Sequence, residues 1–186
     1  MAEHFPSIPT TYLAQYVHDI IVYDQGAGLA TFYQNAIDLK KLYQGESLEI
    51  SLRTLAKTFW IKDEVFVSHL MISPLKVNKD LQNYKDLGTS FEIIHINRPA
   101  FELLGKKIEF DFSPKPWMLK IMRHMRILRI LMPEWHKEEK KISKSIRELI
   151  LSDSQSLKRL KELDSIKGYR SYRYQNANKY LGLKDE

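Results

Sequence analysis

Residues 106 to 139 read KKIEFDFSPKPWMLKIMRHMRILRILMPEWHKEE, and this stretch constrains the fold more than any other. A short alternating strand, Ile108 to Phe112, breaks at Ser113-Pro114-Lys115-Pro116. A dense apolar segment with spaced cations follows and stops at Pro133. Alternation of apolar and acidic residues gives a strand with one wet face. Pro116 is suited to the first turn of a helix, so a helix is expected from about Trp117 to Met132. Lys120, Arg123, Arg126 and Arg129 are spaced by three. At about 100° per residue such a series drifts around the axis, so the four cations spiral and do not form a stripe. The helix is apolar almost all round, which implies burial or packing against a partner. Its arginines then need carboxylates, carbonyls or a bound anion. Glu109, Asp111, Glu134 and Glu138 are the nearby candidates.

The rest of the chain is read from periodicity and punctuation. Pro6 and Pro9 make residues 1–9 an irregular arm. Thr10 or Thr11 is placed to cap a helix to about Asp24, with Leu13, Tyr16, Val17, Ile20 and Ile21 on one face. A second helix is expected from Leu29 to Tyr43, burying Phe32, Tyr33, Ala36 and Ile37 and ended by Gly45. A third begins near Ser47 and continues, with a kink, to Ile72, where Pro74 closes it. Residues 75–90 are polar and read as loop with at most one helical turn. Phe91 to Asn97 reads as a strand that returns antiparallel onto Ile108 to Phe112 through the ten residues from Arg98 to Lys107. Helices follow at Glu138 to Ser152 and over Leu157, Leu160 and Leu163. The fold class expected is therefore mainly α (α+β), a helical domain over 10–168 with a small antiparallel β element near residues 91–112. Residues 169–186 form a basic aromatic tail.

Composition narrows the chemistry. With 186 residues, 44% hydrophobic and 28% charged, the chain is an ordinary globular sequence. It has no cysteine, which removes disulfides, thiol nucleophiles and cysteine-held iron–sulfur clusters. No apolar run reaches the roughly 18 residues that span a bilayer. MAEHFPSIPT has no secretory h-region, so a cytoplasmic location is expected and no membrane partner.

Motifs for catalysis are missing. The six histidines show no i, i+4 or HExxH spacing, so no metal site is assigned. Asp63-Glu64 resembles an acid/base pair, yet adjacent helical positions diverge by about 100°. A capping or salt-bridge role fits those two better. Gly26 and Gly28 follow an apolar run as a phosphate-binding turn would, but a dinucleotide fingerprint needs glycine where Thr31 stands. A helix–helix turn explains the same glycines. No catalytic or cofactor-binding residue is assigned on these grounds.

The tail interleaves Tyr169, Arg170, Tyr172, Arg173 and Tyr174. Aromatics alternating with cations suit single-stranded nucleic acid. They suit docking on an acidic protein surface as well, because Tyr and Arg are common interface anchors. Docking is the favoured reading.

Three segments resemble the uncharacterised C-terminal domain of the fused indolepyruvate ferredoxin oxidoreductases. The first is Leu48 to Met71, with Lys62-Asp63-Glu64-x-x-Val67-x-x-Leu70 at its centre. The second runs from Phe91 to Pro99 and on through Lys107-Ile108-Glu109-Phe110 to Trp117-Met118-Leu119. The third is Ile166-Lys167-Gly168-Tyr169. Met132-Pro133-Glu134-Trp135-His136 and Ser171 depart from the family pattern. The resemblance implies a free-standing, non-catalytic accessory subunit of an indolepyruvate-type 2-oxoacid:ferredoxin oxidoreductase, within a hetero-oligomer. Thiamine diphosphate, Mg and iron–sulfur clusters would sit on the catalytic partner subunits and not on this chain. Trp117, Arg123, Arg126, Tyr169, Arg170, Tyr172 and Arg173 are then the candidate partner-docking residues. The alternatives are a nucleic-acid binder that uses the tail and a small nucleotide- or CoA-binding module at Gly26 to Gly28 and the Arg123 helix.

Overall fold

Buried leucines, isoleucines and phenylalanines on helices build the larger part of the fold. The computed structural model describes residues 1–85, 100–103, 106–109, 113–131, 136–167 and 170–182, with backbone alone at 100–103, 106–109 and 170–171. The chain divides into two compact units, Met1–Ile61 with His136–Glu186, and Lys62–Trp135.

In the first unit, α1 (Thr10–Asp24), α2 (Leu29–Leu42), α3 (Gly45–Lys57), α8 (Lys137–Ser152), α9 (Leu157–Asp164) and α10 (Arg170–Leu181) follow one another in the chain. The labels α4 to α7 belong to the second unit. α3 is the hub, packing against α1, α2, α8 and α9. Leu48, Leu52 and Leu55 recur at helical spacing on α3 and are buried with Ile50 and Ala56. They meet Leu13 and Ile20 of α1, Phe32, Ala36 and Leu39 of α2, Ile142, Ile146 and Ile150 of α8, and Leu160 and Leu163 of α9. Each such side chain contributes about 1.5–3 kcal/mol when withdrawn from water. Periodicity marks α1, α2, α8 and α9 correctly, although Ile21 and Tyr33, expected inside, are exposed.

Local chemistry sets several boundaries differently. α1 is capped by Pro9, whose carbonyl accepts the N–H of Tyr12 and Leu13, and no threonine side chain caps it. Residues 1–9 include a 3-10 turn, Ala2–His4, and bury Phe5 and Ile8 in the core. Gly45 opens α3 at φ +55, where it was expected to close α2. Tyr43 is buried at the far end of α2. Its hydroxyl donates to the carbonyls of Asp153 (2.9 Å) or Ile150 (3.1 Å) and accepts from Gln155 N–H, satisfying the C-terminal end of α8. The expected tail is in fact helical from Arg170 to Leu181 and buries Ala177, with α10 lying on α8.

The second unit contains α4 (Glu64–Met71), α5 (Pro74–Tyr84), β1 (Ala100–Leu103), β2 (Lys106–Glu109), α6 (Pro116–Met122), a 3-10 turn at Met125–Ile127 and α7 (Leu128–Leu131). The kinked helix expected from Ser47 to Ile72 is two helices, because the chain leaves α3 at Thr58 and Asp63 caps a new start. Pro74 opens a helix where it was expected to close one. Ser73 Oγ accepts the N–H of Lys76, Pro74 needs no partner for its nitrogen, and Lys76 pairs with Asp80 one turn on. α4 packs against both α5 and α6 and buries Val65, Phe66 and Ser68.

The expectation of an α+β fold with an antiparallel β element near residues 91–112 is corrected. The fold is mainly helical, and among the described residues β structure forms no layer of it. The strand expected at 91–97 lies outside the described residues, as does 110–112. Among the described residues the one ladder pairs Ala100 with Glu109 through Leu103 with Lys106, largely within the stretch expected to be a connection. Two residues separate β1 from β2, and so short a loop closes at lower entropic cost than a ten-residue return. A two-stranded ribbon of four pairs does not sustain a fold by itself.

Candidate docking surface

Residues 113–131 carry five Lys or Arg and no Asp or Glu. Proline at 116 starts α6, and Leu119, fully buried, fixes its inner face. Trp117, Ile121 and Met125 recur every four residues on the other side, and all are exposed, Trp117 at 58% and Ile121 at 56%. Exposed apolar residues continue with Ile127 at the end of the 3-10 turn and then Ile130 and Leu131, the last two at 75% and 68% exposure. The expected single helix is therefore broken, and it is apolar on two faces, of which one meets water. Several large apolar side chains left exposed along one short segment make it a candidate interaction site.

The cations around that ridge differ in their engagement. Arg129 is committed inward: Nε and an Nη donate to Asp63 at 2.5 and 2.9 Å. Asp63 is 1% exposed and also accepts the N–H of Phe66 (2.7 Å), so one carboxylate caps α4 and anchors α7. Of the four carboxylates expected as partners from sequence, Asp111, Glu134 and the side chain of Glu109 lie outside the described residues. The capping and salt-bridge role fits Asp63, and an acid/base pair does not, because both oxygens are occupied. Arg123 Nε donates to His124 Nε2 (2.9 Å), and Arg126 is half-buried. Lys115 and Lys120 are exposed.

Of the seven expected docking residues, Trp117, Arg123 and Arg126 fall together on this segment. Tyr172 is exposed on α10. The side chain of Arg170 and all of Tyr169 lie outside the described residues. Arg173 points inward: it is 7% exposed, its Nε lies 3.0 Å from Glu139 Oε2 without being aimed at it, and an Nη donates to Ser143 Oγ (3.2 Å). That pair ties α10 to α8 and takes one cation out of any docking stripe. Ile121, Met125, Ile127, Ile130 and Leu131 are the ridge residues not expected from sequence to dock. Apolarity on every side of the helix was their signal.

The glycine turn binds its own chain. Asp24 Oδ1 accepts from Gly26 N–H (2.9 Å) and Oδ2 from Gly28 N–H (2.8 Å). A phosphate would have to displace that carboxylate to use the same donors. Gly26, at φ +88, supplies the backbone angle of a helix–helix turn. Gly28 is needed for space, since a Cβ there would lie 2.9 Å from Asp24 Oδ2 and 3.1 Å from the Phe59 ring. The Phe59 ring is itself fixed by Phe32 edge-on and by Arg147 stacked 4.1 Å above it. Gly28→Ala is expected to cost about 1–3 kcal/mol by overpacking. Thermal unfolding checks this, and an unchanged midpoint contradicts it.

The strongest titratable cluster joins α3 to α9. Asp164 accepts from Arg53 Nε and Nη (3.3 and 3.0 Å), Thr54 Oγ1 (3.3 Å) and Lys57 Nζ (2.6 Å). Burial pushes the Asp164 carboxyl up, but the hydrogen bonds and charges of Arg53 and Lys57 outweigh it and hold it below the ordinary value. Burial draws the Lys57 amine below its usual range against the pull of Asp164. Tyr16, beside them, is pushed up to about 12, chiefly by burial. Every oxygen and the amine are committed to one another, so the cluster acts as a staple between helices.

Among the described residues no group of three or more His, Asp or Glu is arranged to hold a metal, and no helix is long and apolar enough to cross a membrane. No protein-family model, curated protein or solved structure matches this chain.

Proposed function

We propose that the chain is a non-catalytic accessory subunit that assembles, in the cytoplasm, with the catalytic subunits of an indolepyruvate-type 2-oxoacid:ferredoxin oxidoreductase. The outward apolar ridge of residues 113–131 is the observation that carries the docking role. A segment that buries Leu119 and still presents Trp117, Ile121 and Ile130 to water gains most by burying them against another surface. The identity of the complex comes from the sequence resemblance, in which Trp117-Met118-Leu119 is a central pattern. In this reading thiamine diphosphate, Mg and the iron–sulfur clusters belong to the partners.

The alternatives receive less support. A nucleic-acid stripe on the tail loses Arg173 to Glu139 and Ser143. A nucleotide turn at Gly26 to Gly28 has its N–H donors bound to Asp24. Native purification tests the proposal: the chain should co-elute with subunits carrying thiamine diphosphate and iron–sulfur clusters. Recovery of the chain alone contradicts it.

A further inference from the structure

We infer that the outward face of residues 113–131 docks into an apolar groove with an acidic rim on a different protein. This deepens the docking role proposed above and rests on it, while leaving open which complex the partner belongs to.

Shape and charge both carry the inference. The exposed apolar residues of the face include Trp117, a frequent interface anchor, with Ile121, Ile127 and Ile130. Lys115 and Lys120 stand exposed beside it, and the 19 residues contain no carboxylate of their own. Charge complementarity therefore calls for Asp and Glu around the partner's groove, where they steer association and fix register. A second copy of this chain is a poor occupant, because the face would bring the exposed Lys115 and Lys120 against the same two cations with no carboxylate of the segment to offset them. A lipid surface is also a poor fit. Helices that lie on membranes offer one straight apolar face, whereas here a seven-residue helix, a 3-10 turn and a four-residue helix divide it.

Site-specific photo-cross-linking in the native cell tests this. p-Benzoylphenylalanine replaces Trp117 or Ile130 and, as a control, Tyr172 on α10. Cross-links from the first two positions should reach a segment of another protein that is net acidic, and the control should give none to it. Lys115→Glu with Lys120→Glu should cut the yield by about tenfold, with an unchanged melting temperature because both side chains are exposed. Cross-links to a second copy, to lipid, to RNA, to other residues of the same chain or to a surface without acidic residues overturn the inference, as does the absence of any cross-link. If the acidic partner is not an oxidoreductase subunit, the docking surface stands and the proposed complex falls. If the chain co-purifies with the oxidoreductase but cross-links only from position 172, the complex stands and this surface falls.

Discussion

Replacing Asp63 with alanine should be the most damaging single change in the Lys62–Trp135 unit, costing about 3–5 kcal/mol. The carboxylate is nearly inaccessible, receives two N–H groups of Arg129 and caps α4 through Phe66 N–H. Alanine removes the helix cap, worth about 1 kcal/mol, and takes a carboxylate away from the partly buried Arg129 guanidinium. Asp63→Asn keeps an acceptor for the cap but loses the charge, so it should fall between wild type and alanine. Hydrogen exchange over residues 64–71 separates the cases. Native-like protection of those amides in Asp63→Ala would show that the pair does not hold α4 to α7.

Asp164→Ala should destabilise the other unit by about 2 kcal/mol at neutral pH, a value reduced because Arg53 is partly solvated. Four donors on α3 lose one acceptor on α9. The pH dependence follows from the direction of the shift. The folded carboxyl lies below its ordinary value of 3.8, so its stabilisation is complete above 3.8 and is lost as pH falls through the lower folded value. Urea melts of wild type and variant should therefore differ by a constant amount down to about pH 5 and converge in acid. A difference that persists undiminished at the lowest pH would mean that packing, not charge, is what the substitution removes.

What was legible in the sequence follows how far apart the interacting groups lie. Leu13 and Ile20, Phe32 and Ala36, Ile142 and Ile146, and Leu160 and Leu163 announce themselves by spacing, and all are buried. A helix face is a local pattern, and local pattern is what a single sequence carries. α5 was missed because its apolar residues, Leu75, Val77, Leu81 and Tyr84, are interspersed with polar ones and none is buried, although Ser73-Pro74 is a proper start signal. The break of the 116–131 segment was missed too, since no Gly or Pro marks residues 117–131. Arg129 and Asp63, 66 residues apart, meet only through tertiary packing, so a search among neighbours in sequence does not find this pair. Glu139 and Arg173 are the same case, and their pairing turns an expected docking arginine inward. The exposed ridge was half visible: all-round apolarity implied burial or a partner, and Trp117, Ile121 and Ile130 are not buried within the chain.

Sedimentation velocity tests the docking role most directly. The purified chain is run with and without isolated catalytic subunits of an indolepyruvate-type oxidoreductase, then again as the Ile121→Glu, Ile130→Glu double variant. The expected result is a faster-sedimenting complex with wild type that disappears with the double variant, whose own melting temperature is unchanged. No complex with wild type, or a complex that the double variant forms equally well, would contradict it.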